Sequence, residues 1–265
     1  MEPAIPEVDG GAIENWSIYP DLPDGLVFEN GTIYGTPTVN MTIANYLIYG
    51  NNSGGSSVVG LSITILEPAP TITYQTDYLV LTRGETMPSA LQAIFGGGAV
   101  ASFTVTPELP DGLNFTNGTI FGTPTVNSTL VQYNITALNN GGSDYFLLNI
   151  TILEPVAILD AESTYFELIR SVDYMNLTLN NTGGMAATWE IEPSLPDGLI
   201  FGNGTITGTP TVNASLASYT IWANNTGGSD SIIINIKILE PVANISYRRT
   251  DFTVVNGQGL SLIHI

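Results

Sequence analysis

The sequence predicts an all-β chain built as tandem antiparallel β-sandwiches, and three observations carry that expectation. Two motifs recur at a fixed period: Leu22-Pro23-Asp24-Gly25 returns at 109–112 and 195–198, and Gly35-Thr36-Pro37-Thr38-Val39-Asn40 returns at 122–127 and 208–213. Both step by 87 and then 86 residues, the mark of an array of like modules. Short stretches rich in β-formers alternate with turn residues, and no helical period interrupts them.

The second block shows the elements in order. Ile72-Thr73-Tyr74 and Tyr78-Leu79-Val80-Leu81-Thr82 lie in an opening stretch of β-branched and aromatic residues. Residues 101–106 and 133–137 alternate polar with apolar, and 144–153 is a longer, more apolar closing strand. Asn30-Gly31, Asn117-Gly118 and Asn203-Gly204 suit tight type I′ hairpins, because both residues tolerate positive φ. Asn-rich segments ending in Gly-Gly, at 139–142 and 224–228, mark the hairpin before the last strand.

Equivalent positions predict a common core. Trp16, Phe103 and Trp189 align and are expected to be buried, as are Tyr46, Tyr133 and Tyr219. Phe28, Phe115 and Phe201 form a third set, and Ile33, Ile120 and Ile206 a fourth. Tyr19 stands apart, with Thr106 and Glu192 as counterparts, and is expected at the surface. About seven short strands, an aromatic on the third and a Tyr near the start of the sixth, match an immunoglobulin-like sandwich. Two residues after each Tyr, where antibody domains carry a Cys, stand Ile48, Ile135 and Ile221, so packing replaces a disulfide.

Composition narrows the function classes. A unit of this size buries roughly 60–65% of its unfolded surface and folds without staples. The net charge of -19 arises because basic residues are scarce, five Lys and Arg against 24 Asp and Glu. Such a surface repels phosphate backbones and anionic lipid, so nucleic acid is not an expected partner. No apolar run is long enough to span a membrane. With no Cys, one His (His264) and one Lys (Lys237), nucleophile–base pairs have almost no material to draw on. The recurring acids appear once per repeat, as scaffold residues do, and no enzyme is expected.

The ordered motifs, namely Leu-Pro-Asp-Gly-Leu, Asn-Gly-Thr-Ile, Gly-Thr-Pro-Thr, a Tyr-initiated strand and a Gly-Gly-Ser turn, resemble the Putative Ig domain family. That resemblance implies tandem immunoglobulin-like, cadherin-like modules of large prokaryotic surface proteins. The Asn-rich, Lys-poor wording of 221–228 is similar to that of marine archaeal surface proteins. The implied function is non-enzymatic: structural, spacer or adhesion modules, extracellular or at the cell surface. Alternatives are a carbohydrate-binding module, a Ca²⁺-dependent cadherin-like adhesion module, or accessory domains of an extracellular hydrolase. Expected partners are other surface proteins, glycans and neighbouring repeats of the same chain.

The expected organisation is a repeat at 1–68 without its first strand, complete repeats at 69–155 and 156–241, and the first strand of a further repeat at 242–259. Residues 260–265 depart from the repeat and read as translated sequencing adaptor.

Two sets of candidate site residues follow. In an immunoglobulin-like topology the Leu-Pro-Asp-Gly turn lies at the pole where the last strand ends in Glu67, Glu154 or Glu240. Cadherin-like modules place Ca²⁺ at such junctions, which makes Asp111, Glu154, Asp197 and Glu240 candidate Ca²⁺ ligands. The same residues also suit a plain turn and a solvated strand end, and both readings stay open; no other cofactor is expected. About fifteen Asn-x-Ser/Thr triplets occur. Those of the Asn-Gly hairpins are explained by the turn, whereas Asn40, Asn127 and Asn213 are not, and they are the candidate glycosylation sites.

Overall fold

The computed structural model describes residues 2–247, 253 and 255–257. They fall into two compact units, Met1–Leu153 and Glu154–Ile265. All regular structure among the described residues is β.

The first unit opens with β1 (Asn15–Tyr19), β2 (Leu26–Glu29), β3 (Thr32–Gly35), β4 (Met41–Asn52) and β5 (Gly55–Ile65). It continues with β6 (Pro70–Thr73), β7 (Tyr78–Thr82), β8 (Leu91–Gln92), β9 (Ile94–Gly97), β10 (Ser102–Thr106), β11 (Leu113–Thr116), β12 (Thr119–Gly122), β13 (Ser128–Asn139) and β14 (Gly142–Leu153). The second unit carries β15 (Leu159–Asp160), β16 (Tyr165–Ile169), β17 (Met175–Thr178), β18 (Asn180–Asn181), β19 (Thr188–Glu192), β20 (Leu199–Gly202), β21 (Thr205–Gly208), β22 (Ala214–Asn225) and β23 (Gly228–Leu239).

In the second repeat one sheet has the order β10-β13-β14-β7 and the facing one β11-β12-β8, with β6 paired to β9. The third repeat reproduces it as β16-β23-β22-β19, β17-β21-β20 and β15-β18. The opening stretch that reads as one run of β-formers is therefore two strands. In the second repeat β6 runs antiparallel to β9; the chain then crosses to the other sheet, where β7 runs parallel to β14. The parallel pairs, β7 with β14 and β16 with β23, are the exceptions to an otherwise antiparallel architecture. Physically, the crossing lets one segment pair at the edges of both sheets, which removes exposed ladder groups.

The first repeat differs. Its sheets are β1-β4-β5 and β2-β3, and Ala4 forms a single bridge to Ile33 where the second repeat pairs Leu91 with Ile120. Residues 2–65 contain no counterpart of β6 or β7, so among the described residues β5 pairs with β4 alone. Of the opening strand expected at 242–259, residues 242–247 carry no strand and most of the remainder lies outside the described residues, as do 260–265.

Each core follows the strand alternation. Ile120, Ile135, Leu148 and Ile150 are fully buried in the second repeat, and Ile206, Ile221, Ile234 and Ile236 take the same places in the third. Tyr46, Tyr133 and Tyr219 are buried as expected. Trp16, Phe103 and Trp189 are only partly buried, because β1, β10 and β19 are edge strands. Trp189 and Phe201 meet edge to face at 6.4 Å, and Phe103 and Phe115 at 6.0 Å.

Candidate functional site

The recurring motifs meet in space within each module, and their backbones explain why they recur together. The carbonyl of Asp24, Asp111 or Asp197 accepts the backbone N–H of Thr38, Thr125 or Thr211, at 3.1, 2.9 and 2.8 Å, and also the hydroxyl of the same Thr. The following glycine is pressed against the partner motif: a Cβ on Gly112 would sit 1.9 Å from the carbonyl oxygen of Thr123, and on Gly25 2.0 Å from that of Thr36. Leu-Pro-Asp-Gly and Gly-Thr-Pro-Thr are thus two halves of one clamp. The hairpin Asn residues 30, 117 and 203 sit at φ near 48–49°, as a type I′ turn requires.

The side chains of Asp111 and Asp197 are exposed. Glu154 is partly buried, and its backbone N–H donates to the Thr226 hydroxyl at 2.9 Å. Glu240 is engaged by Arg170, whose Nε and Nη2 both donate to Oε2, at 3.1 and 2.7 Å. Asp111 belongs to one compact unit and Glu154, Asp197 and Glu240 to the other. Among the described residues no three His, Cys, Asp or Glu side chains gather into a group that could hold a metal. Ca²⁺ takes six to eight oxygens, and Glu240 offers one carboxylate already paired to a cation.

Asn40, Asn127 and Asn213 are exposed, each just ahead of the long strand β4, β13 or β22. The Asn40 amide donates to Glu67 Oε1 at 2.6 Å. Tyr19 is 71% exposed. Elsewhere Lys237 donates to Glu167 at 3.1 Å, and that hydrogen bond, with the lysine charge, holds the Glu167 carboxyl below its ordinary range.

Sequence reasoning missed a second recurring clamp, visible as Asn52, Asn139 and Asn225 at the same period. Asn139 is buried; its amide donates to the carbonyls of Pro68 and Ala99, at 2.7 and 3.1 Å, and its oxygen accepts from Gly141 and Gly142. Asn225 does the same with Pro155, Met185 and Gly227. Asp144 and Asp230 each accept the first inward N–H of the opening strand, from Ile72 at 3.0 Å and Leu159 at 2.7 Å. Tyr74 completes the arrangement in the second repeat. Its hydroxyl donates to Gly118 O at 2.7 Å, its ring packs on Phe146 at 5.2 Å, and burial pushes its pKa up to about 12.

The model of one family, described as "Putative Ig domain", matches residues 69–152 and 157–239. Among solved structures, the chain is similar to the I67–I69 I-band fragment of titin, with 13% identity, TM-score 0.40, and coverage of 86% of this chain and 89% of that one. It is also similar to immunoglobulin domains 1–5 of Sidekick-1, with 13% identity, TM-score 0.37, and coverage of 86% and 53%. For the eight N-terminal Ig domains of Down Syndrome Cell Adhesion Molecule the values are 14%, 0.35, and 83% and 30%. No curated protein matches the chain.

Proposed function

The chain belongs to the immunoglobulin-domain family whose model matches it twice in tandem, and from that premise we propose that it works as non-enzymatic spacer or adhesion modules of a secreted or cell-surface protein. The modules are 69–155 and 156–241, preceded by the incomplete copy at 1–68. One observation supports this reading above others: the polar residues that recur at the module period are used to hold each module together. The Asp–Thr clamp serves backbone groups of its own repeat, and the Asn clamp ties its own hairpin to the Pro that leads into the repeat. A residue kept for catalysis would instead project its functional atoms into a shared cleft.

The acidic surface, poor in cations, suits a display protein that stays soluble and does not adhere to nucleic acid or anionic lipid. No helix among the described residues is long and apolar enough to cross a membrane. The exposed Asn40, Asn127 and Asn213 are the proposed attachment points for glycans, which would cover the pole where the Gly-Thr-Pro-Thr clamp enters the long strand.

Stretching single molecules of the full chain tests the spacer reading. Modules that act as independent spacers open in separate events of equal length, one for each complete repeat. Turnover of any member of a polysaccharide panel by the purified chain would contradict the non-enzymatic reading.

A further inference from the structure

The second repeat presents an uncharged face on an acidic chain. Tyr133, Ile135, Leu148, Ile150, Leu79 and Leu81 point into the core, so the residues that alternate with them point outward from the β10-β13-β14-β7 sheet. Among the described residues, no outward position of these four strands holds an Asp, Glu, Lys or Arg. The 24 acids of the chain lie elsewhere.

What stands on this face is ordered by rung. Tyr145 lies opposite Thr136, Leu147 opposite Asn134, and Asn149 between Gln132 and Tyr78. Tyr145 and Tyr78 are 59% and 45% exposed. The Gln132 amide donates to Asn149 Oδ1 at 3.3 Å, and the Tyr78 and Thr151 hydroxyls meet at 3.3 Å. Four residues along β14 and one strand across put the two Tyr about 14 Å apart. Amides and hydroxyls fill the space between the rings.

The aromatic recurs although no core requires it. Tyr49, Tyr145 and Trp222 fall on the same rung of the long hairpin, yet Tyr49 and Trp222 stand on its first strand and Tyr145 on its second. A core position keeps one strand, as Tyr46, Tyr133 and Tyr219 do. The third repeat also sets Tyr165 beside Asn235, as the second sets Tyr78 beside Asn149. There, however, Glu190 and Glu192 face Trp222 and Thr220, and Glu167 binds Lys237 at 3.1 Å.

The chemistry of the face selects its occupant. A cationic partner would find no acid here to pair with, and an anionic one would approach a chain of net charge -19. A protein surface would bury the row of amides and hydroxyls, each of which then needs its own partner. A sugar meets both demands: its C–H face covers an aromatic ring, and its hydroxyls donate to and accept from amides and hydroxyls alike. We propose that the outer face of the β10-β13-β14-β7 sheet binds a neutral polysaccharide, with Tyr145 and Tyr78 stacking on two of its rings and the Gln132–Asn149 pair bonding between them. This names a ligand for the adhesion reading above. It is tested by binding alone, so its failure leaves the spacer role untouched.

Affinity electrophoresis of the full chain tests it, in native gels holding xylan, glucomannan, laminarin or hydroxyethyl cellulose, with alginate as the anionic control. The chain is made in a host that does not glycosylate Asn, because Asn134 and Asn149 lie on this face within Asn-x-Thr triplets. At least one neutral polysaccharide should retard the chain, alginate should not, and high salt should leave the retardation intact. Tyr145→Ala and Tyr78→Ala, both at exposed positions, should each weaken binding by more than about tenfold while thermal melts show the fold kept. Tyr165→Ala, at the matching place of the third repeat, should leave it unaltered. Free passage through all four neutral gels, full retardation of the double Tyr variant, or retardation that salt removes would overturn the proposal. So would concentration-dependent dimers that the double variant loses, which would assign the face to a second copy of the chain.

Discussion

The first and second repeats share their clamps, their Asn-Gly hairpin and their buried Tyr, yet they differ in how much of the core is closed. Ile135, Leu148 and Ile150 are fully buried in the second repeat, while Leu61, the counterpart of Leu148, is only partly buried and lines a cavity. Among the described residues the first repeat has no counterpart of β6 or β7, nine residues of strand by their ranges (four and five), and residues 7–10, the counterpart of β9, carry no strand. The comparison teaches that the long hairpin and the clamps fix the topology of a module, whereas the split opening strand closes both sheet edges and seals the core. Stability is therefore expected to follow closure rather than motif content.

The largest contrast should come from one truncation made twice. Leu148→Ala removes a fully buried side chain and should cost about 2–5 kcal/mol, whereas Leu61→Ala, beside an existing cavity, should cost about 1–2 kcal/mol. Denaturant melts of the two variants decide it, and equal costs would mean that the first core is as closed as the second. Gly112→Ala and Gly25→Ala should instead behave alike. Both place a Cβ about 2 Å from a carbonyl oxygen at positive φ, so each should cost about 2–4 kcal/mol in its own repeat. A difference between them would show that the clamp depends on the opening strand.

A smaller difference should appear at alkaline pH. Tyr74 is buried with a pKa of about 12 against an ordinary 10.0, and the third repeat has Ala161 in its place. Below pH 10 the folded and unfolded chains both keep the proton, so the contribution of Tyr74 is complete. As pH rises from 10 towards 12 the unfolded chain loses its proton first, and the second repeat loses up to about 2 kcal/mol. Thermal melts should show this loss in the wild type, and Tyr74→Phe should remove most of it. Tyr133 and Tyr219, both raised by burial, leave a shared remainder in the two repeats.

The smallest effects belong to the exposed acids. Arg170→Ala frees Glu240 from a surface pair and should change stability by less than about 1 kcal/mol. Exchanging millimolar Ca²⁺ for EDTA should move the melting temperature by less than about 2 °C. A shift of many degrees, abolished by Asp111→Asn, would instead assign Ca²⁺ to the acidic turn.

Much of this was legible in the sequence because it is periodic. The strand runs, the hairpin Asn-Gly pairs and the inward Tyr and Ile sets are local signals repeated at the module period. The split of the opening strand was not, because residues 71–82 read as a stretch rich in β-formers and only the closure of two sheets sends their halves to different partners. Nor was the partial exposure of Trp16 and Trp189, since edge position is a property of sheet order, which no local pattern records. The Asp of Leu-Pro-Asp-Gly attracted a ligand reading for its carboxylate, whereas the atom that recurs in contact is its backbone carbonyl.

Hydrogen exchange in dilute solution, followed amide by amide along β5 and β14, tests the closure argument most directly. Asn149 N–H is tied to Asp77 O at 2.8 Å, while its counterpart Ser62 lies on an edge that pairs with nothing among the described residues. The expected result is fast exchange at Ser62 and along the outer edge of β5, slow exchange across Asn149–Leu153, and opening of the first repeat before the second. Equal or greater protection along β5 in monomeric chains would contradict it.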